Sequence, residues 1–420
     1  MTITLVPPSP VLPAPVRPDP LGVLGVPGEI NLDHAASAPC ARAAADAVAG
    51  LLPWYASVHR GAGALSRRCT LAYERARQTV GDFLGARPDD HVIFTRNTTD
   101  ALNLLARALP AGTTVITFGG EHHANLLPWP RGSVRLPVPD SPAGAIRSLA
   151  AALGELARDA RPGLPVLVAV TGAGNVTGEC WPVAELARVA HRHGARILVD
   201  AAQLAPHAPV DLAALDVDYV ALSGHKLYAP FGAGVLAGRA DWLDAAPPYL
   251  AGGGATSHVG AATHEVRWTT GPARHEAGTP NLLGAVALAA VCKALDEADR
   301  QALHVREQAL LTRLRRGLAT LPDVVELRTF GPDAPRVGIV SFVVAGRDSA
   351  EVAAHLASRH RIGVRDGLFC AHPLTRRLLA EAAARTGRTD LPPTALRASL
   401  GLGTTDAHVD ALVTALTHLP

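Results

Sequence analysis

Short apolar runs alternate with helical periodicity through the middle of the chain. The runs lie at 92–95, 114–118, 134–138, 166–171, 196–200, 218–222 and 233–237. Between them, near 98–109, 146–160 and 182–193, apolar residues recur at the spacing of one helix face. This alternation predicts an α/β fold, a mostly parallel seven-stranded sheet covered by helices on both faces. Upstream, helices are predicted around 41–52 and 69–85, after a short strand and turn at 31–37. Downstream, a helix around 281–298 is predicted to bridge to a smaller lobe. That lobe has a helix at 303–320, strands near 323–329 and 336–344, and helices near 349–359, 375–387 and 407–418. Strands and helices without strict alternation suit an α+β domain. The expected organisation is therefore a tail over 1–27, a large domain over 28–285 and a small C-terminal domain over 286–420. Within the tail, the proline-rich stretch 7–20 can form neither ladder nor helix and is expected to be extended.

Length and composition narrow this picture a little. A chain of 420 residues, 48% hydrophobic, suits two lobes rather than one simple core. A formal net charge of +2 gives no reason to expect nucleic acid or an acidic membrane surface as partner. The five cysteines are scattered, without a CxxC pair, which argues against a disulfide framework or structural zinc and for a reducing compartment. Neither a signal-peptide pattern nor a membrane-spanning apolar run is read, so a cytoplasmic location is expected.

The candidate chemistry starts at Ser223-Gly224-His225-Lys226. Of 39 basic residues only Lys226 and Lys293 are lysine. A chain that otherwise uses arginine points here to an amine, which can lose its proton and attack a carbonyl. Lys226 follows the predicted strand 218–222, at the strand end where open α/β sheets bind ligands. Arg196-Ile197-Leu198-Val199-Asp200 is a second apolar run, ending in a carboxylate. A lysine and an aspartate at two strand ends suit pyridoxal 5′-phosphate: the amine forms a Schiff base with the aldehyde, and the carboxylate keeps the pyridine nitrogen protonated.

With Asn175 and Glu121-His122-His123 added, the chain resembles the class V aminotransferase family, in particular its cysteine desulfurase and selenocysteine lyase branch. The resemblance runs from about residue 28 to 418. It implies the fold type I architecture of pyridoxal-phosphate-dependent transferases and a homodimer with a shared active site. It assigns His122 to stacking on the pyridine ring and to proton transfer. Asn175 and Gln203 are implied to bond the cofactor's phenolic oxygen, Asn175 also facing substrate. Thr98, Thr99, Ser223 and His225 are implied phosphate ligands, and Thr279 of Gly278-Thr279-Pro280-Asn281 the phosphate contact from the second subunit. Arg397, in Leu396-Arg397-Ala398-Ser399-Leu400, is the implied clamp for a substrate carboxylate. From the residues alone, Thr98 and Thr99 equally suit helix capping, Asn175 and Gln203 turns, and Arg397 a salt bridge within the small lobe. The family usually has glycine at position 97; Asn97 is expected to tolerate the left-handed region in its place.

The reaction turns on Cys370, in Asp366-Gly367-Leu368-Phe369-Cys370-Ala371-His372-Pro373. The resemblance aligns it with a flexible loop that delivers a sulfur-accepting thiolate. Desulfurases of this branch carry Thr-Gly-His-His before the cysteine, so two proton-moving histidines are missing here. Another departure is Ala62-Gly63 after Val58-His59-Arg60-Gly61, a loop the resemblance places near the active site; it suggests a more open pocket. The expected function is desulfuration of L-cysteine to L-alanine with a persulfide on Cys370, handed to a sulfur-acceptor protein. The alternative is transamination, epimerisation or β-elimination on another amino acid, with Cys370 a small buried thiol. A third possibility, a non-catalytic scaffold or sulfur-relay partner, is disfavoured by the intact Lys226, Asp200 and Arg397.

Overall fold

Burial on both faces explains why the middle of the chain reads as solid apolar runs rather than as an alternating pattern. The computed structural model describes Asp19 and residues 21–159, 164–262 and 264–419; the proline-rich stretch 7–20 lies outside the described residues except for Asp19. Strands β1 (Asp90–Thr95), β2 (Thr114–Phe118), β3 (Val134–Leu136), β4 (Val166–Thr171), β5 (Arg196–Asp200), β6 (Tyr219–Ser223) and β7 (Gly234–Arg239) form one sheet. Their order is β1-β7-β6-β5-β4-β2-β3. Pairings are parallel, except that β7 runs antiparallel to both β1 and β6. The expected α/β class and mostly parallel seven-stranded sheet are what forms.

Helices α1 (Arg42–Leu51), α2 (Ala64–Phe83), α3 (Thr98–Ala108), α4 (Pro142–Asp159), α5 (Val183–Arg192) and α6 (Leu282–Asp296) cover the sheet. Val168, Val170, Ile197 and Val199 face the core made with α1, α2, α4, α5 and α6. Their neighbours Leu167, Ala169 and Leu198 point the other way, toward α3. Period-two alternation thus survives, with both sets apolar because both faces are dry. A hairpin of β8 (Thr256–Val259) and β9 (Val266–Trp268) follows, which the sequence pattern did not suggest.

The C-terminal part carries β10 (Val324–Leu327), β11 (Ile339–Val344), β12 (Arg365–Gly367) and β13 (Ala395–Ser399), antiparallel in the order β10-β11-β13-β12. Helices α7 (Arg300–Ala319), α8 (Ser349–His360), α9 (His372–Thr386) and α10 (Asp406–Thr417) flank it. Leu32 packs in this core with Leu314, Phe342 and Leu412, and Ile30–Asn31 pairs in parallel with Ile362–Gly363. Helix α6, by contrast, contributes from Leu282 to Leu295 to the large core. A boundary at 285/286 therefore falls inside a helix, and the start of the chain reaches over to the small lobe. No helix among the described residues is long and apolar enough to cross a membrane.

Glu179 fastens the two parts together. It is buried after β4, where it receives Arg336 at 3.0 Å, the backbone N–H groups of Thr329 and Phe330 at 2.8 and 3.0 Å, and the Thr177 hydroxyl at 2.7 Å. Arg336, equally buried, also bonds Glu326 at 2.9 Å. Glu179→Ala leaves the buried Arg336 with Glu326 as its remaining carboxylate partner and unpairs the half-buried Thr329 and buried Phe330 N–H groups, a class of change costing about 3–5 kcal/mol. We expect a loss of that size in urea unfolding at neutral pH; a variant within about 0.5 kcal/mol of the parent, the range of ordinary surface substitutions, would show that the pair does not fasten the lobes.

Candidate active site

The C-terminal ends of β1, β2, β4, β5 and β6 lie along one edge of the sheet, and a cavity of about 360 Å³ opens there. Thr98, Thr99, His122, Asn175, Asp200, Gln203, Ser223, His225, Lys226, Cys370 and Arg397 all line it. Among the expected site residues Thr279 alone does not.

The β1 end turns directly into α3. Asn97 caps that helix, its side-chain oxygen receiving the Asp100 N–H at 3.0 Å. Its backbone is extended (φ −171°, ψ −179°), so the left-handed conformation expected at position 97 is not used. Close approach is what the position requires: a Cβ on Gly234 of β7 would sit 2.5 Å from the Asn97 Cα. Pressed against β7 in this way, the Thr98 N–H donates to Ser223 Oγ at 2.8 Å and the two hydroxyls meet at 2.7 Å. Hydroxyls from two strand ends thus gather at a helix N-terminus, which suits an anionic oxygen group.

Lys226 stands beyond the end of β6. Burial lowers its pKa to about 8, and Arg397 adds to the effect, while Asp200 and Cys370 oppose it. Near neutral pH a useful fraction is therefore free amine. Asp200, buried at the β5 end, receives the Ala202 N–H at 3.0 Å and makes no salt bridge among the described residues. Burial raises its pKa, with Ala202 and Lys226 pulling the other way.

His122 is fixed by its own turn. Its Nδ1 accepts the Ala124 N–H at 3.0 Å, so the neutral ring carries its proton on Nε2. Burial, then Lys226, His123 and Arg397, push its pKa down to about 3. The ring is a flat, uncharged surface with one N–H to offer. Glu121 holds the turn from below, accepting the Thr171 N–H at 3.1 Å and the Asn125 amide at 2.9 Å.

Arg397 comes from β13 of the small sheet. It donates to the Asn175 carbonyl at 2.9 Å and to Asp33 at 3.2 Å, while its buried Nε has no partner among the described residues. Its ion-pair partner therefore belongs to the N-terminal turn rather than to the small lobe. Phe369 covers the guanidinium at 5.1 Å. Gln203 donates to the Ala35 carbonyl at 2.8 Å, leaving its buried Oε1 unbonded.

Cys370 is exposed yet lines the same cavity. Phe369 and Cys370 both have left-handed backbone, φ 52° and 51°, at about 1–2 kcal/mol per non-glycine residue. Asn175 donates to the Phe369 carbonyl at 2.7 Å and the His123 N–H to the Cys370 carbonyl at 2.8 Å. The expected flexible loop is thus a pinned segment. Its surroundings also differ from expectation: the His123 and His372 rings meet edge to face at 4.5 Å beside it. His123 comes from β2's end and His372 from beyond the cysteine, so inspection of the residues preceding Cys370 finds neither.

Thr279 is exposed, and Val58, His59 and Arg60 line a different cavity, of about 210 Å³, with Gly278 and Pro280. Within one chain, the loop expected near the active site is not part of the Lys226 cavity.

A family model described as Aminotransferase class-V matches residues 30–412. The cysteine desulfurase of Dickeya dadantii (strain 3937) is 37% identical over 398 residues, 92% of this chain and 90% of the relative. That of Klebsiella pneumoniae (strain 342) is 36% identical, covering 92% of each. Among solved structures, the Escherichia coli cysteine desulfurase CsdA superposes with TM-score 0.75 at 32% identity, covering 93% of this chain and 94% of the other. The Thermococcus onnurineus NA1 cysteine desulfurase gives 0.79 at 32%, covering 92% and 94%.

The depressed Lys226 amine gives a direct measurement. In cofactor-free protein, acylation of Lys226 by an amine-selective reagent should accelerate with pH and level off with a midpoint at about 8. The sign follows from burial, which disfavours the ammonium and so frees the amine at lower pH. A midpoint at the ordinary 10.5 would show that the cavity does not depress it.

Proposed function

The chain belongs to the class-V aminotransferase family, whose members depend on pyridoxal 5′-phosphate, and from that premise we propose that it is a cysteine desulfurase. It takes sulfur from L-cysteine onto Cys370 and releases L-alanine. The observation that carries this reading is that the thiol, the lysine amine and the buried guanidinium line one cavity.

The residues fit the cofactor. Among the described residues, Asp200 is a buried carboxylate without a salt bridge, and Gln203 Oε1 and Arg397 Nε are buried polar atoms without partners. In our reading Asp200 would hold the pyridine nitrogen and His122 would stack against the ring. Asn175 and Gln203 each keep a second amide N–H for the phenolic oxygen. Thr98, Thr99, Ser223 and His225 would receive the phosphate, and Lys226 would meet the aldehyde. When bound, pyridoxal phosphate supplies a carbonyl that condenses with amines and a ring that takes up electrons released at the substrate's α-carbon.

The protein's own groups do the rest. Arg397 holds the substrate α-carboxylate, for which its unpaired Nε and planar fork are suited. Lys226, with a pKa of about 8, takes and returns a proton at the α-carbon near neutral pH. The Cys370 thiolate attacks the substrate sulfur: an S–S bond forms as the Cβ–S bond breaks, and the bond's electron pair goes to carbon, which is protonated to give alanine.

We further read the working form as a homodimer. Leu52, Trp54, Tyr55, Leu65 and Leu71 are exposed around α1 and α2, and a second copy would cover them while presenting Thr279 to the phosphate. Exposure of Cys370 suits hand-off to a sulfur-acceptor protein, and five free thiols suit the cytoplasm.

After incubation with L-cysteine, rapid alkylation and mass spectrometry should find an added sulfur on Cys370, with alanine released. Cys370→Ser should lose alanine release by about two orders of magnitude or more, serine being a far weaker nucleophile at neutral pH. An unlabelled Cys370, with turnover of another amino acid intact in Cys370→Ser, would replace this reading with the aminotransferase, epimerase or lyase alternative.

Asp200→Asn should keep the fold and still take up pyridoxal phosphate, yet lose activity by orders of magnitude, since a neutral amide cannot hold the pyridine nitrogen protonated. Near-parental turnover in that folded variant would remove Asp200 from the pyridine nitrogen.

A further inference from the structure

Helix α9 begins immediately after Cys370 and lacks an ordinary cap. Ala371 stands at the N-cap position and offers no side-chain acceptor, although the first N–H groups of a helix need one. The acceptor comes from elsewhere: the His372 N–H donates to the imidazole Nε2 of His123 at 3.3 Å. The backbone N–H of His123 meanwhile donates to the Cys370 carbonyl at 2.8 Å. One residue thus grips the chain at two points just after the thiol-bearing Cα, where Phe369 and Cys370 are left-handed.

We propose that His123 is a positioning residue for Cys370, its imidazole serving as the missing N-cap of α9 and its backbone anchoring the cysteine carbonyl. The ring's part in the grip works only while Nε2 is unprotonated, with the ring proton on Nδ1. The groups facing His123 favour that state. His372 packs on it at 4.5 Å, His122 lies at 6.4 Å, and Arg135 of β3 acts from the neighbouring strand. Burial, His372 and Arg135 all lower its pKa. Acidification protonates Nε2 of His123 and so removes the cap. His123 in this way attaches the nucleophile's segment to the turn that carries His122, so that the two keep register.

The significance for turnover rests on Cys370 being the sulfur acceptor; the grip itself does not, and the experiment reads the grip separately. Hydrogen–deuterium exchange of pyridoxal-phosphate-loaded protein is followed at the His372 amide from pH 8 to 4.5, corrected for intrinsic exchange. The parent should be protected at pH 8 and lose protection at least tenfold toward acid, with a midpoint below the ordinary imidazole 6.5. His123→Ala should lose protection throughout. His123→Gln, whose amide oxygen accepts at any pH, should stay protected throughout, which a merely structural role would not produce. His372→Ala keeps the backbone N–H and should stay protected at pH 8. Parental protection in His123→Ala, or acid loss in His123→Gln equal to the parent's, would overturn the proposal. If the grip holds while no persulfide forms on Cys370, the desulfurase reading fails alone. If both hold, His123→Ala should lower kcat for alanine release with little change in KM for L-cysteine, and His123→Gln should restore it.

Discussion

A buried guanidinium lines the cavity, and the site is assembled around it. Arg397 reaches across 222 residues to the Asn175 carbonyl and across 364 to Asp33. Burying such a charge is costly unless it is paired and hydrogen-bonded, so the three segments that accept from or contact it are held where they are. The compensation is partial. Burial raises the Asp33 pKa despite the arginine, and Nε goes unbonded. That imbalance leaves a positive group already dehydrated, oriented and only partly neutralised, which suits the carboxylate-binding role proposed for it.

Around this fixed charge the titratable groups divide by role. His122, His123 and His225 all have lowered pKa values, burial being the largest cause in each. The imidazoles are therefore neutral surfaces and hydrogen-bonding fixtures. Lys226, at about 8, is the one cavity amine whose protonation balances near neutrality. Proton traffic consequently concentrates on the group best placed to meet a carbonyl, and the neighbouring rings do not compete for it.

The sheet was legible from sequence because strands buried on both faces must be apolar throughout, and the helices because each shows an apolar stripe. The ends of those strands were legible for a similar reason: polar residues such as Asp200, Asn175 and Lys226 interrupt apolar runs at the points where the runs stop. Contacts made across long separations were not. Nothing near Cys370 in sequence announces His123, which lies 249 residues from His372. Asn97 misled because a substitution for glycine suggests left-handed backbone, whereas the real constraint was closeness to Gly234. The β8–β9 hairpin was missed because its strands of four and three residues, 256–259 and 266–268, are too short and too exposed to show a pattern.

The crossing of the chain's start into the small lobe has a consequence for biosynthesis. Leu32 leaves the ribosome long before its packing partners Leu400, Leu412 and Leu416 are made. The bond from the Ala35 N–H to Ser399 likewise joins residues 364 apart. Contacts of such separation are slow to form because a long loop must close before they stabilise anything. The strands that carry Asp200 and precede Lys226 can pair before residues 395–416 are made, whereas the small-lobe core and the Arg397 side of the cavity cannot. The chain therefore possesses its lysine before it possesses a closed pocket.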